Sequence, residues 1–482
     1  MNKAANSVKT TQPLKSSHKR KQAIRKAIIR SKVKQRRLLK LKRALLSRRK
    51  KIKQSLSLKK LRLRKRRKHI AQETPVGTQE AVGTTEEAPE PAEPGEAQEP
   101  VAALPAVDLK PGVNLIGYIR TEIGLGEGCR LMAKSLEAAE VPFGIMNFTD
   151  PGANSARNND RTWIHKESEK ASFKVNFFHM NANNLRAAYD NPVPPLVRDV
   201  FQHRFNIGYW AWELPEFPDE WCNSFELVQE VWAPSQFIVD SVKPKSPHPV
   251  VRIPHAVHVQ RANSFDRRAF GLPNDQFLFL SMYDTHSLKE RKNPQAVIKA
   301  FKQAFRSSDS SVGLVIKVNN PNSKPEDMEW LKQQTEGYSN IYMIHQIMDR
   351  DKVNALINAT DCFVSLHRSE GFGLVMAEAM FLGKPVIGTN WSGNTDYMHE
   401  GNACPVKYNL IPVGQDVGPY KAHQIWADPD IEHAAYYMRR LVQDSVWRKS
   451  IASNGKQTIH TEYSPLVIGQ KVKNRLVELG LL

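Results

Sequence analysis

The chain has 482 residues, with 70 Lys and Arg against 49 Asp and Glu, and a formal net charge of +21 at pH 7. This length is enough for two or three domains with separate cores. The four cysteines form no CxxC pattern, which argues against a disulfide framework and a cysteine zinc site and favours a reducing compartment such as the cytosol. No apolar run is long enough to span a bilayer and no signal-peptide core follows the N-terminal charges, so we expect a cytoplasmic protein.

The basic charge is concentrated at the N-terminus. Residues 1–70 contain 29 Lys or Arg and no acids, whereas residues 111–482 contain 40 basic and 40 acidic residues. The loosely helical spacing of apolar residues in this tail predicts a basic amphipathic segment. Because the tail has no Phe, Tyr or Trp for base stacking, an anionic membrane surface is a better candidate partner than nucleic acid. Organellar targeting and docking to an acidic protein stay open.

The next region, residues 71–110, has one Lys against nine acids and is rich in Pro, Glu, Ala, Gly and Thr, which predicts a disordered linker. After it, short apolar runs alternate with amphipathic helices, a pattern typical of α/β units around a parallel sheet. The alternation restarts near Phe277, so we predict two tandem doubly wound domains with a cleft between them. Their predicted bounds are 111–262 and 263–455, and a C-terminal helix at 456–482 is expected to cross back to the first domain.

In the first domain, the predicted strand 113–119 is followed by Gly124, Gly126 and Gly128, before a helix that we expect to begin near Arg130. Glycines at this position indicate either a loop that a ligand approaches closely or a tight turn that needs a positive φ. A nicotinamide-binding protein would carry GxGxxG here, and this sequence does not.

Two further segments of the first domain are candidates for the cleft. His179 lies at the end of the predicted strand 175–180, although an isolated histidine is more often a buried neutral ring. The segment 208–221 is dense in aromatic residues, which either stack on sugar rings or belong to the core. We expect Glu213 within it to face the cleft.

The second domain contains the strongest motif, Glu370-Gly-Phe-Gly-Leu-Val-Met-Ala-Glu378, in which a strand turns into a helix near Leu374. Gly371 and Gly373 let the backbone approach a ligand, and the free N–H groups of the new helix suit a phosphate. The two carboxylates would repel that phosphate unless each accepts hydrogen bonds from hydroxyl groups of a sugar and a ribose. The predicted strands of this domain are 277–282, 312–318, 341–344, 362–366 and 385–388.

A basic pair, Arg291 and Lys292, precedes Asn293 and Pro294, which are a good N-cap and first helical residue. Such a pair alone is more often exposed to solvent, but fixed cations also stabilise a leaving diphosphate. Asn394 lies in a loop that follows a later strand.

The Glu370-x7-Glu378 pattern, together with the basic pair, resembles the family-four retaining glycosyltransferases with a GT-B fold, which consists of two Rossmann-like domains facing a cleft. The resemblance covers about residues 113–482 and implies that Glu370 lies by the donor sugar and Glu378 binds the ribose. The remaining residues that it places at the donor are Arg291 and Lys292 on the diphosphate, backbone at Gly371, Phe372, Gly373 and Leu374, the glycines Gly124 and Gly126, and Asn394. His179 would lie near the reacting sugar. Many relatives carry a basic residue where this chain has Ser281, Met282 and Tyr283.

The resemblance implies transfer of a sugar from a GDP- or UDP-sugar to a hydroxyl of a glycan or lipid-linked acceptor, with retention and with no cofactor or metal. Polysaccharide or cell-envelope glycan synthesis, in the cytoplasm or at the inner face of the membrane, is the expected setting. One alternative is a catalytically silent assembly protein of the same fold, recruited through its tail. Another is a sugar-nucleotide epimerase, which would need further acids in the cleft.

Overall fold

The computed structural model describes residues 109–149, 158–192, 196–260 and 265–482, all within one unit, Ala103–Leu482. The basic tail and almost all of the predicted linker lie outside these residues. No helix in the described ranges is both long and apolar enough to cross a membrane.

The first domain is built on a six-stranded parallel sheet with the order β2-β1-β3-β4-β5-β6. Its strands are β1 (Lys110–Gly117), β2 (Phe143–Asn147), β3 (Phe173–His179), β4 (Phe205–Tyr209), β5 (Glu230–Ala233) and β6 (Val250–Arg252). Its helices are α1 (Gly124–Ala138), α2 (Ala182–Asp190) and α3 (Gln236–Val242). Adjacent residues of β3, such as Phe177 and Phe178, belong to different hydrophobic clusters, because both faces of the sheet are covered.

The second domain repeats this plan with the order β12-β11-β10-β7-β8-β9. Its strands are β7 (Phe277–Asp284), β8 (Val312–Asn319), β9 (Ile341–Ile344), β10 (Cys362–Ser365), β11 (Val386–Thr389) and β12 (Cys404–Val406). Its helices are α4 (Lys289–Lys292), α5 (Pro294–Ala304), α6 (Pro325–Thr335), α7 (Arg350–Ala359), α8 (Leu374–Phe381), α9 (Ile431–Gln443) and α10 (Ser445–Glu462). The predicted α/β architecture is thus confirmed. The strand order reverses between β7 and β10, and a crevice opens at such a point beyond the carboxyl ends of the strands.

The last helix, α11 (Pro465–Glu478), packs on α1 of the first domain. Gly469 makes this approach possible, since a Cβ there would lie 2.0 Å from the carbonyl oxygen of Ser135. Lys473 donates to the carbonyl of Ala139 at 2.9 Å. The C-terminal segment therefore ties the two domains together.

A second tie is an antiparallel hairpin of β13 (Tyr408–Pro412) and β14 (Ile425–Pro429), which the strand predictions do not include. Trp426 belongs to a hydrophobic cluster of the first domain. Tyr420, between the two strands, stacks on Trp212 with ring centroids 5.3 Å apart. The hairpin therefore carries residues of the second domain to the segment that follows β4.

The glycine segment after β1 differs from the prediction. Helix α1 begins at Gly124, not near Arg130, so Gly124, Gly126 and Gly128 all lie inside it. None of the three has a positive φ, so the tight-turn alternative is wrong. Gly126 is required for space instead, because a Cβ there would lie 2.0 Å from the carbonyl oxygen of Thr121.

The two predicted helix starts differ in their caps. Asp349 accepts a hydrogen bond from the backbone of Lys352 at 2.9 Å, as expected for an N-cap. Asn293 stands at the N-cap of α5 and Pro294 follows in the first turn, but the Asn293 side chain makes no capping hydrogen bond. Its φ of 52° is left-handed because the same residue also ends α4.

Candidate functional site

A cavity of about 780 Å³ lies between the two domains and is lined by residues of both. From the first domain it receives Gly124 and Glu127, and from the second it receives Lys292, Glu370 and Glu378. The basic pair and the Glu-x7-Glu segment, 78 residues apart in sequence at their contact, therefore meet at one cavity.

Glu370 and Lys292 form a direct ion pair in this cavity. The Lys292 Nζ donates to Glu370 Oε1 at 2.5 Å, and an Arg291 nitrogen lies 3.5 Å from Glu370 Oε2. Burial opposes ionisation of Glu370, but Lys292 and Arg291 outweigh it and lower the pKa of this carboxyl to about 2. Glu370 is therefore a fixed negative charge at neutral pH.

Arg291 lies behind Glu370 and is not among the residues that line the cavity. Its side chain is 6% exposed, and it donates to the carbonyl of Ser369 at 3.0 Å. Burial disfavours its charge, but Glu213 and Glu370 together raise the pKa of Arg291 above its ordinary value. Of the predicted basic pair, Lys292 is the member that faces the cavity.

Glu378 projects from α8 and is 1% exposed at its side chain. Its Oε1 accepts a hydrogen bond from the guanidinium of Arg350, and its Oε2 is buried with no hydrogen-bond partner among the described residues. The Arg350 Nε also lies 3.5 Å from Glu127 Oε1 on α1, so Arg350 bridges the two domains. Sequence analysis missed Arg350, although it is the first residue of α7, the helix that follows β9, and so lies at the carboxyl edge of the sheet.

The backbone between the two glutamates, from Gly371 to Leu374, lines the cavity. Gly373 is the N-cap of α8 with a φ of +83°, and a Cβ there would lie 2.3 Å from the Cε of Met376. The Tyr397 hydroxyl donates to the carbonyls of Phe372 and Gly373 at 3.0 and 2.8 Å. The loop is thus fixed with the N-terminus of α8 open to the cavity, which is a favourable site for an anion.

The two predicted glycines of the first domain have different positions. Gly124 lines the cavity, and a Cβ there would meet no atom within 4 Å. Gly126 is buried against the backbone of Thr121 and is not a lining residue. Only Gly124 therefore offers its backbone directly to a ligand.

His179 ends β3 as predicted but is fully buried and does not line the cavity. Its ring stacks on Tyr209 at 4.7 Å, and neither ring nitrogen has a hydrogen-bond partner in the described ranges. Burial lowers its pKa to about 3, so the ring is neutral. His255, which sequence analysis missed, does line the cavity, with its ring centroid 5.8 Å from that of His179.

Asn394 is also buried away from the cavity. Its Nδ2 donates to the carbonyl of Thr389 at 2.9 Å, and its Oδ1 lies 3.0 Å from the Nε2 of His367. The structure therefore shows Asn394 supporting the loop after β11. For Asn394 to contact a donor, as predicted, its hydrogen bond with His367 would have to break.

The structure also places the aromatic residues after β4 and the residues that end β7. Trp210 and Trp212 are 0% and 1% exposed, so they belong to the core and offer no stacking surface for a sugar. Met282, which stands where the resemblance would place a basic residue, lines the cavity. In the part of the chain that the structure describes, no group of three or more His, Cys, Asp or Glu side chains is arranged to hold a metal ion.

Comparison with known protein families gives one match, and it covers the second domain. Residues 263–458 match the family described as Glycosyl transferases group 1. No curated protein sequence matches the chain.

Solved structures establish the fold. HepE of Anabaena in complex with UDP and glucose has a TM-score of 0.54 at 14% identity, covering 76% of this chain and all of HepE. Sucrose-phosphate synthase of Thermosynechococcus elongatus has a TM-score of 0.54 at 14% identity, covering 78% of this chain and 96% of the synthase. A glycosyltransferase of Rickettsia africae ESF-5 has a TM-score of 0.54 at 12% identity, covering 76% and 98%. The predicted GT-B fold is confirmed, and so is the resemblance to the glycosyltransferases that share it.

Proposed function

We propose that this chain, whose residues 263–458 match the family of group 1 glycosyl transferases, transfers a sugar from a nucleoside diphosphate donor to an acceptor hydroxyl with retention at the anomeric carbon. The observation that carries the proposal is the convergence of Lys292, Glu370 and Glu378 on one cavity beside the open N-terminus of α8. A diphosphate needs cations and backbone N–H groups, and a sugar and a ribose need hydroxyl acceptors. This cavity offers both.

Each part of the donor has a chemically suitable partner. The buried Oε2 of Glu378, which has no partner among the described residues, suits a ribose hydroxyl. Lys292 and the backbone N–H groups that begin α8 suit the diphosphate, while Glu370 suits the hydroxyls of the transferred sugar. Arg291 acts from behind by holding Glu370. UDP-sugars are the first donors to test, since HepE of the same fold was solved with UDP-glucose.

In the proposed reaction, the bond between the anomeric carbon and the diphosphate oxygen breaks, and the acceptor oxygen bonds to the same face of that carbon. The acceptor proton passes to the departing diphosphate. The negative charge that develops on the diphosphate is stabilised by Lys292 and by the N–H groups at the start of α8. We propose no metal ion and no cofactor for this step.

The wider setting remains part of the proposal. The acceptor would be a glycan or a lipid-linked saccharide in polysaccharide or envelope synthesis. The basic tail, residues 1–70, would hold the enzyme at the anionic inner face of a membrane, since each Lys or Arg near such a surface contributes about 1 kcal/mol.

The first experiment measures thermal stabilisation of the full chain by a panel of GDP- and UDP-sugars. The stabilising donor is then incubated with and without oligosaccharide acceptors, with and without EDTA, and the product anomer is assigned by NMR. We expect transfer with retention that EDTA does not abolish, and its loss in Glu370→Ala. This variant should still fold, but with a lower unfolding midpoint, because Arg291 and Lys292 lose their carboxylate partner. Near-normal transfer in that variant would remove Glu370 from the mechanism, and donor binding without transfer or hydrolysis would favour the silent assembly protein.

A further inference from the structure

The loop that carries Glu370 is held from the first domain on both sides. On one side, the Ser369 hydroxyl donates to the backbone carbonyl of Glu213. On the other side, the Ser235 hydroxyl donates to the carbonyl of Gly371 at 2.6 Å. A Cβ at Gly371 would lie 3.2 Å from the carbonyl oxygen of Trp212, so the two backbones are in close contact. The first domain therefore contributes directly to the observed conformation of the loop that carries Glu370.

The side chain of Glu213 makes a further contact with the second domain. Its Oε1 lies 3.5 Å from an Arg291 guanidinium nitrogen, and its Oε2 accepts a hydrogen bond from the Tyr420 hydroxyl at 3.1 Å. Glu213 is 25% exposed and lines the cavity, whereas Arg291 is buried behind it. The result is an alternating row of charges, Glu213–Arg291–Glu370–Lys292, that begins in the first domain and ends at the donor cavity.

We infer that Glu213 is a positioning residue, which fixes Arg291 and, through Arg291, the Glu370 carboxylate, so that the donor site is completed from the first domain. This inference rests on the proposed function. Tyr420 supports Glu213 from the hairpin of β13 and β14. Contact between the domains thereby helps to place Lys292 and Glu370, which act on the donor, and Arg291 behind them, so that domain position is coupled to catalysis.

The directions in which kcat and the donor KM change separate a positioning role of Glu213 from a merely stabilising one. Glu213→Gln leaves the buried Arg291 with Glu370 as its remaining carboxylate partner, so Glu370 is drawn towards Arg291 and away from the sugar. A displacement of about 1 Å at a reacting group can lower a rate by about 10²-fold. The same substitution removes one negative charge from the wall of a cavity that receives a diphosphate, so donor binding should be unchanged or tighter. We therefore expect kcat to fall while KM for the donor does not rise.

The experiment compares Glu213→Gln with Glu216→Gln in the full chain. Glu216 is a matched control, because it lies in the same segment and pairs with His423 of the same hairpin, yet is 59% exposed and has no contact with Arg291 among the described residues. We expect at least a tenfold loss of kcat in Glu213→Gln with an unchanged or lower donor KM, and less than a twofold change in Glu216→Gln. Hydrogen–deuterium exchange of residues 367–373 should rise in the first variant only.

Two outcomes would overturn the inference. One is a kcat within twofold of the wild type in Glu213→Gln; the other is a raised donor KM with unchanged exchange at 367–373. If Glu213→Gln does not fold, Tyr420→Phe replaces it, with an expected threefold to tenfold loss of kcat and the same rise in exchange. A wild-type chain that UDP stabilises but that transfers no sugar would end the proposed function, while the exchange comparison would still decide whether Glu213 holds the Glu370 loop.

Discussion

The clearest test of the packing around the cavity uses two glycines that lie two residues apart in α1. In Gly126→Ala, the new Cβ would lie 2.0 Å from the carbonyl oxygen of Thr121 and 2.8 Å from that of Tyr118, and both atoms are backbone. Neither carbonyl can move away by a change of side-chain rotamer. The overpacking is therefore expected to lower the free energy of unfolding by about 3 kcal/mol, at the upper end of the usual range.

Gly124→Ala is the control, because its Cβ would meet nothing within 4 Å. The residue stands in the first turn of a helix, where alanine is favoured over glycine by at most about 1 kcal/mol. Its stability should be equal to or slightly above that of the wild type. Since Gly124 lines the cavity, the added methyl group should nevertheless weaken stabilisation by UDP, if the diphosphate approaches this backbone.

Urea unfolding followed by tryptophan fluorescence measures both variants, and the first domain contains Trp210, Trp212 and Trp232 as buried reporters. The urea midpoint of Gly126→Ala should fall well below that of the wild type, whereas the midpoint of Gly124→Ala should be equal to it or slightly higher. Equal midpoints for Gly124→Ala and Gly126→Ala would refute the reasoning, since the two substitutions are chemically identical and differ only in the space available.

Three further predictions concern buried ionisable side chains. Because the pKa of Glu370 is lowered from 4.5 to about 2, its ionised form stabilises the fold above pH 4.5, and this contribution of about 3 kcal/mol is lost as the pH falls towards 2. The unfolding free energies of the wild type and Glu370→Gln should therefore converge over that window, and parallel curves would contradict the assignment. His179, with its pKa lowered from 6.5 to about 3, is neutral in the fold, so the free energy of unfolding should fall as the pH drops below 6.5. His179→Phe should reduce the slope of unfolding free energy against pH by up to about 1.4 kcal/mol per pH unit. An unchanged slope would show that this ring is protonated in the fold. Arg350→Ala leaves the buried Glu378 carboxylate without its cation and should lower the free energy of unfolding by about 2 kcal/mol, a reduced figure because Arg350 is 33% exposed. Adding Glu378→Gln should restore at least half of this loss, whereas purely additive losses would exclude the ion pair.

The strand pattern was accessible from sequence because both sheets are parallel and covered on two faces. Such strands are continuous apolar runs, so β9 falls at 341–344 as predicted, and β10 and β11 agree to within one residue. The start of α8 at Leu374 was predictable as well, since Gly373 supplies the left-handed backbone that precedes it. Local chemistry and tertiary packing agree in these elements.

The remaining features depend on contacts between distant residues. Helix α1 begins six residues before the predicted start at Arg130, because Gly126 and Gly128 serve close packing inside the helix and not a turn before it. Of the two tryptophans after β4, Trp212 is covered by Tyr420 of the hairpin, and Trp210 packs against Phe217 and Phe225. Glu213 and Tyr420 are 207 residues apart, and no local pattern in either segment indicates that they meet.

The charge arrangement of the cavity has a consequence for ligand preference. Each of its two motif carboxylates is already paired, Glu370 with Lys292 and Glu378 with Arg350. A diphosphate that recruits Lys292 must take it partly from Glu370, and a buried carboxylate that loses its cation is costly unless a new donor replaces it. A nucleotide without a sugar offers no such donor to Glu370, whereas the hydroxyls of a nucleotide-sugar do. On the proposed function, the Glu370–Lys292 pair therefore favours binding of the complete nucleotide-sugar over the bare nucleotide. This preference is stronger when Arg291 and Glu213 hold Glu370 firmly in place.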